Sequence, residues 1–320
     1  MSRISRIHRH SLLLAAVAAA AAACTVGRDY EPKPFDAPQT WQQAADSTLT
    51  ADAATDGPWW KTFGDAQLDE LVDRALAQNL DLRAAFARLK SARALRGVAE
   101  ADALPSLDAR GGYEQRRESR NTPFGAFIPQ TDIHTIAVDA SWELDLWGRV
   151  RRSVEAASGE LDASAADAEA AAITVAAEVV SAYVDLRAAQ HRLKIARSNL
   201  ALQEQTQSLV DARLQAGLTV ERDAAQARTN VESTRARLPS LEASASAAEN
   251  RLCVLLACAP GALPVKLAEE APIPTAPARI AVGVPADLLR RRPDVRAAER
   301  RFAAAVARIG AVDAERYPRL

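Results

Sequence analysis

A chain of 320 residues with 40 basic and 41 acidic side chains carries a net charge of −1, which argues against a nucleic-acid-binding surface. Apolar residues make up 48% of the chain but aromatics only 5%, so the apolar share is inflated by alanine. Such a composition suits long, closely packed helices better than a large compact core, and the length fits either two ordinary domains or one elongated body.

Residues 1–23 read as a secretory signal. Arg3, Arg6 and Arg9 form a basic start, and Ser11 to Ala20 is an apolar stretch too short to span a membrane as a mature helix. Ala21-Ala22-Ala23 then runs into Cys24, which resembles a bacterial lipobox whose cysteine takes a diacylglycerol, although Ala21 stands where the usual leucine would. The alternative is an ordinary small-residue cleavage site beside an incidental cysteine. Thr25 after the cysteine, rather than an aspartate, favours the outer over the inner membrane. Signal removal leaves 37 basic and 41 acidic side chains, a net charge of −4. The other cysteines, Cys253 and Cys258, lie five apart, about 140° around a continuous helix. They are expected not to face one another and to be buried apolar groups without a metal or redox role.

Residues 24–64, rich in Pro, Asp, Ala and Gln, read as an extended tether closed by Trp59, Trp60 and Phe63. That aromatic group is either a contact on the first helix, the favoured reading, or a membrane anchor. Residues 65–105 read as one helix, with Asp65 as N-cap, Leu68, Leu71, Val72, Ala75, Leu76, Leu82, Ala85, Phe86 and Leu89 at helical spacing, and Pro105 as its end. From 106 to 146 the period becomes two. Leu107, Ala109, Gly111 and Tyr113, then Ile136, Val138, Ala140, Trp142, Leu144 and Leu146, mark one face, opposite Asp139, Glu143 and Asp145. Two strands of about ten residues match membrane-barrel strands, with Trp142, Trp147, Phe124 and Phe127 suited to interfacial girdles. A half-buried hairpin on a soluble core fits the same alternation, but no other segment supplies such a core. A lone hairpin is unstable and must join others.

Residues 147–258 read as two long helices forming an antiparallel coiled-coil hairpin, the first about 100 Å long. Val179, Leu186, Leu193, Leu200 and Leu214 repeat every seven, with Gln207 the exception. Ala182, Ala189, Ala196, Gln203 and Val210 lie three positions after them, and the returning seam runs from Ala224 through Val231 to Leu255. Gly217 suits the end of the first helix and Thr219 the N-cap of the second, while Pro239 should kink the return. Residues 259–286 are a proline-rich connector. Residues 287–320 open a second copy of an earlier stretch. Shifted by 213 without a gap, Leu76 to Leu107 lies on Leu289 to Leu320 with 12 identities in 32 positions, Asp81, Gly97 and Pro105 meeting Asp294, Gly310 and Pro318. About four would arise by chance.

The stretches Ser141-Trp142-Glu143-Leu144-Asp145-Leu146-Trp147-Gly148-Arg149, Arg213-Leu214-Gln215-Ala216-Gly217-Leu218 and Asp287 to Glu299 together resemble the outer membrane factor family, the TolC-like exit ducts, in its NodT-type lipoprotein branch. The resemblance covers the whole mature chain. It implies a mainly α fold with a transmembrane β-hairpin, in which long antiparallel coiled-coil helices continue the strands of a trimeric β-barrel. It further implies Cys24 as the acylated anchor, Arg213, Leu214, Gly217, Leu218 and Thr219 as the tip that meets a periplasmic adaptor, and Asp139, Glu143 and Asp145 as lumen-facing strand residues. The implied partners are a homotrimer, an adaptor (membrane fusion protein), an inner-membrane RND-type transporter and outer-membrane lipid, with no nucleic acid and no cofactor. In the absence of partners, Gly217 reads as a plain helix stop and the acids as solvated strand residues.

The implied function is a passive export duct for small molecules, not an enzyme. Neither a phosphate-binding glycine loop nor a membrane-helix proton relay is present to drive transport, and His134 and His191 have no acid, nucleophile or metal partner at motif spacing. The rival is a periplasmic coiled-coil scaffold or adaptor that forms no pore, or an inactive fragment of an outer membrane factor. The second copy stops at Leu320, where its own hairpin should begin, so the family pattern predicts a second repeat truncated at the C-terminus and gives no expectation that the chain conducts as it stands.

Overall fold

A computed structural model describes residues 25–32, 49–50, 57–119, 121–123, 127, 129–263, 267, 271–281, 283 and 285–320. The signal, Cys24 and Phe124 lie outside the described residues. The elements in order are β1 (Leu49–Thr50), a 3-10 turn (Trp59–Phe63), α1 (Ala66–Gln78), α2 (Leu80–Ala101), β2 (Ser106–Arg116), β3 (Thr131–Ser141), α3 (Arg149–Gln215), α4 (Glu221–Arg235), α5 (Leu238–Leu255), β4 (Ile280–Ala281), α6 (Pro285–Arg291) and α7 (Pro293–Ala314). They form two compact units: the described residues of Met1–Pro34, Leu89–Ala165 and Arg296–Leu320, and those of Phe35–Arg88 and Ala166–Val295.

The second unit holds the larger apolar core. Asp65 begins α1 as its N-cap, accepting from the amides of Gln67 (2.9 Å) and Leu68 (3.1 Å). Leu68, Leu71, Val72 and Ala75 of α1 pack against Val179, Tyr183 and Leu186 of α3 and Leu252, Leu255 and Leu256 at the end of α5. Each such leucine or valine contributes about 1.5–3 kcal/mol on burial. Trp60 and Phe63 lean on this core, so the aromatic group is a helix contact rather than a membrane anchor. Arg187 is wholly buried in the same place. Its guanidinium donates to Gln190 (2.8 Å), to the Leu267 carbonyl (3.3 Å) and to Gln67, and lies 5.0 Å from the centre of the Tyr183 ring. Those bonds replace the water a buried cation loses.

The single helix expected over 65–105 is two helices. Asn79 divides them, 3% exposed. Its amide nitrogen donates to the Leu255 carbonyl (3.0 Å) and its side-chain oxygen accepts from the Leu82 amide (3.0 Å), capping α2. The apolar spacing ran straight across this point, and the break rests on the local Asn79 cap together with a contact 176 residues away.

Within the helical hairpin, α3 and the returning helices are bridged by Arg197–Glu242 (2.7 Å), Glu204–Arg235 (2.8 Å) and Asp211–Arg228 (3.5 Å). Successive partners step by seven along each strand of the hairpin, in opposite directions, as an antiparallel heptad register requires. Pro239 does more than kink the return. The helix stops at Arg235 and restarts at Leu238, with Pro239 in the first turn of α5, where a missing amide hydrogen costs nothing. The expected separation of Cys253 and Cys258 also fails, because α5 ends at Leu255. Ala257 turns left-handed (φ 51°), and the Cys258 amide folds back to the Cys253 carbonyl at 2.9 Å.

In the first unit, β2 and β3 pair antiparallel from Ser106 opposite Ser141 to Arg116 opposite Thr131. Opposed residues share a sheet face, so Leu107, Ala109, Gly111 and Tyr113 share one with Ala140, Val138, Ile136 and His134. The strand ends at Ser141, five residues short of the expected 146. Thr25–Tyr30 is not a free tether. The Val26 amide bonds the Trp147 carbonyl (3.0 Å), and Tyr30 donates to Glu299 (3.1 Å) with its ring edge-on to Phe302. The repeat is present in the backbone itself, since α2 and α7 begin and end 213 residues apart, at Leu80 and Pro293 and at Ala101 and Ala314.

Candidate functional site

The structure assembles the expected tip residues into one turn. Gly217 sits in the left-handed region (φ 72°) just past α3. The Leu218 amide donates to the Arg213 carbonyl (2.8 Å) and the Gly217 amide to the Leu214 carbonyl (3.0 Å), the paired bonds of a Schellman stop. No heavy atom lies within 4 Å of the position a Gly217 Cβ would take, so conformation rather than space calls for glycine here. Leu214 is half-buried, whereas Leu218 is 76% exposed. Thr219 is not the N-cap of the next helix. Val220 holds that position with no side-chain bond, and the Thr219 hydroxyl donates instead to the Asp223 carboxylate (2.8 Å). Val220, 56% exposed, is a residue of this turn that the sequence reading did not name, and its place beside Thr219 was the signal available. Leu218 and Val220 are thus exposed apolar residues of one turn, with Arg213, Glu221 and Arg222 near them in the chain.

The three acids expected to share a strand face part company. Asp139 alone lies in β3, on the face carrying Asp108, Arg110, Glu114 and Thr135, and bonds Arg110 at 2.9 Å. Glu143 and Asp145 lie beyond the strand, because α3 needs acceptors at its N-terminus. Asp145 accepts from the amides of Val150 (3.1 Å) and Arg151 (2.9 Å). Glu143 takes a two-pronged bond from Arg149 (2.9 and 2.7 Å). The Arg149 hydrogen bonds hold its carboxyl below the usual glutamate range, and the same pairing raises Arg149. Ser106, Ser141, Trp142, Glu143, Arg149 and Arg319 line an open depression of about 420 Å³ at the strand base. Of its charged groups, Glu143 and Arg149 are bonded to each other, and Arg319 bonds Glu315 outside it.

Beside that base is a second group the sequence did not reveal. Arg152, 4% exposed, donates to the carbonyls of Val26 (3.2 Å) and Gly27 (3.3 Å) and pairs with Asp29 and Glu155, each at 2.7 Å. Desolvation works against the Arg152 cation, but the bonds to Glu155 and Asp29 outweigh it and leave its pKa raised. Three glycines make room for the segment. A Cβ on Gly27 would lie 2.6 Å from Gly310 Cα, one on Gly148 would lie 2.7 Å from Thr25, and one on Gly310 would press on Arg152 at 3.1 Å. The Gly-Arg-Val-Arg-Arg run starting at Gly148 was the available clue. The residues that follow Cys24 are therefore seated against α3 and α7, while Cys24 itself lies outside the described residues.

Among the described residues no group of His, Cys, Asp or Glu is placed to hold a metal ion, and no helix is long and apolar enough to cross a membrane.

A family model described as outer membrane efflux protein matches residues 71–257. Nodulation protein T of Rhizobium leguminosarum bv. trifolii is 32% identical over 300 residues, covering 92% of this chain and 62% of that protein. The pyoverdine export outer membrane protein OpmQ of Pseudomonas putida is 35% identical over 288 residues, covering 88% of this chain and 60% of that one. Among solved structures, the outer-membrane channel OprN is 36% identical and superimposes with a TM-score of 0.82 over 92% of this chain and 66% of its own. The chain thus spans about three fifths of the length of the curated relatives it matches.

Proposed function

This chain belongs to the outer membrane efflux protein family, has the fold of its TolC-like channels, and from that premise we propose that it is a subunit of a passive export duct. The observation that carries the proposal is the register of the β-hairpin. Two strands of 11 residues have the length that crosses a bilayer's hydrocarbon when tilted. Their pairing gathers Leu107, Tyr113, Ile136 and Val138 on one face, 74%, 60%, 91% and 65% exposed respectively. Water disfavours that much apolar surface by about 1.5–3 kcal/mol for each large side chain, whereas lipid accepts it. The opposite face carries Asp108, Arg110, Glu114 and Asp139 and faces the aqueous lumen. A two-stranded hairpin leaves both edges unpaired, and closure with strands of other subunits in a homotrimer satisfies them.

In this reading Cys24 carries the lipid at the outer membrane, and the Gly217 turn is the periplasmic tip. Arg213, Leu214, Gly217, Leu218 and Thr219 meet the hairpin of an adaptor coupled to an inner-membrane RND-type transporter, which supplies the energy. Small molecules pass without any bond being made or broken. The decisive test fractionates cells expressing the chain and examines the outer membrane for detergent-resistant, heat-modifiable trimers. Recovery as a monomer in the soluble periplasm would sink the duct. A photocrosslinker at Leu218 should capture co-expressed adaptor, and a crosslinker at Glu249 should not.

A further inference from the structure

The end of α5 brings two thiols together in a way that a continuous helix forbids. The Cys258 amide donates to the Cys253 carbonyl (2.9 Å) and the Ala257 amide to the Val254 carbonyl (3.1 Å), with Ala257 left-handed at φ 51°. This is again the Schellman pair of bonds, and it makes Cys253 and Cys258 the two residues whose side chains touch across such a stop. Cys253 is 2% exposed, and Cys258 is half-buried against the same core as Leu252, Leu255 and Leu256. The two thiols are near enough for a side-chain hydrogen bond between them, the neighbourhood from which a disulfide forms.

We propose that Cys253 and Cys258 are a modification site, oxidised in the exported protein to an intramolecular disulfide that staples the end of α5 to the chain that leaves it. The oxidant is a disulfide-bearing thiol oxidase of the periplasm, so the proposal rests on the export reading. The Cys258 thiolate, the more accessible of the two, attacks the oxidase disulfide and expels one oxidase thiolate. The Cys253 thiolate then attacks the Cys258 sulfur and expels the second oxidase thiolate. The two protons released by the cysteines end on the two oxidase sulfurs, so the oxidase is reduced by two electrons and this chain is oxidised by two. Burial and the neighbouring Cys253 push the Cys258 thiol up. The first step therefore quickens as pH rises, while the second is fast because its partner is already in place.

The experiment has two arms, both on the full chain: in the first Cys24→Ser leaves only these two thiols, and in the second Cys24 is kept, because signal cleavage needs it and the lipid blocks its thiol. In the first, purified reduced protein is equilibrated in a glutathione redox buffer and weighed. The expected species is lighter by two hydrogen atoms and carries no glutathione. Protein carrying glutathione on both cysteines overturns the proposal. In the second, cells are quenched in acid and free thiols are counted by maleimide-PEG gel shift. The signal-cleaved protein should show no adduct until reductant is added and two afterwards. Two adducts on signal-cleaved protein without reductant also overturn the proposal. Three adducts on a chain that keeps its signal and its unacylated Cys24 count against export alone, and the first arm then decides the pairing. Cys258→Ser should take up one adduct with or without reductant.

Discussion

Asn79 is the residue on which the first helix pair turns, and its replacement gives a loss that can be worked out in parts. Its side-chain oxygen caps α2 through the Leu82 amide, and its side-chain nitrogen satisfies the Leu255 carbonyl at the end of α5. Asn79→Ala removes a cap worth about 1 kcal/mol. It also leaves a carbonyl in a region where Asn79 itself is 3% exposed, and an unsatisfied buried acceptor costs a further 1–3 kcal/mol or so. The expected destabilisation is therefore about 2–4 kcal/mol. Asn79→Ser restores a good N-cap but cannot reach Leu255, so it should recover only the cap, about 1 kcal/mol. Asn79→Asp keeps the acceptor but sets a carboxylate against the carbonyl, and should be no better than serine. Denaturant unfolding followed by helical circular dichroism measures all three. The reasoning is refuted if alanine costs less than about 1 kcal/mol or if serine and alanine are equal.

Four further outcomes are expected. Ala257→Gly should stabilise the end of α5 by about 0.5–1 kcal/mol, because relief of a left-handed alanine exceeds the added chain entropy of glycine; slower amide exchange at Cys258 is the readout, and faster exchange refutes it. Glu204→Arg should lower the unfolding midpoint by setting it against Arg235, and adding Arg235→Glu should restore it; a double variant no better than the singles would remove the heptad register from the account. Gly27→Ala should release Thr25–Tyr30, since the new methyl would collide with Gly310 and the φ of 95° is strained for alanine; trypsin cleavage at Arg28 should rise roughly tenfold for each 1.4 kcal/mol of strain, and an unchanged rate contradicts the seating. Glu143→Gln should destabilise at neutral pH: a folded-state pKa lowered by Arg149 gives stability that is present above the unfolded value, about 4.3, and is lost as pH falls through the folded one, so the penalty should vanish in acid.

How far the sequence reached depended on whether a feature was set locally. The Gly217 turn was legible because a left-handed stop after a heptad helix is written in consecutive residues. The sheet faces were legible because a period of two survives without any neighbour. The reading failed where a local pattern met a competing local demand. Glu143 and Asp145 continue the alternation of β3, yet they are also the acids that the first turn of α3 attracts, and the helix won. The angle between Cys253 and Cys258 was extrapolated along a helix that ends before Cys258, and an alanine in the left-handed region gives no warning in sequence. Arg152 was out of reach for another reason, since its partners Val26 and Gly27 lie more than a hundred residues away in the chain.

The duplication could have supplied what the single copy concealed. In the second copy Pro293 begins α7 and marks a helix start in plain view. Carried back by 213 residues, that start falls on Leu80, where α2 begins behind Asn79. The first copy makes with an asparagine cap and a tertiary hydrogen bond the same break that the second makes with a proline. Both copies thus keep the break while changing the chemistry that produces it, which points to the bend itself as the retained feature. Gly97 and Gly310 show the converse. They are aligned and identical, but only Gly310 is pressed by Arg152 and Gly27, while Gly97 has nothing within 4 Å of its would-be Cβ. The glycine is common to both copies, and the segment seated on it belongs to one. The Arg152 contacts are therefore specific to the second copy, so replacing Gly97 by alanine should leave Thr25–Tyr30 seated, whereas the same change at Gly310 should loosen it.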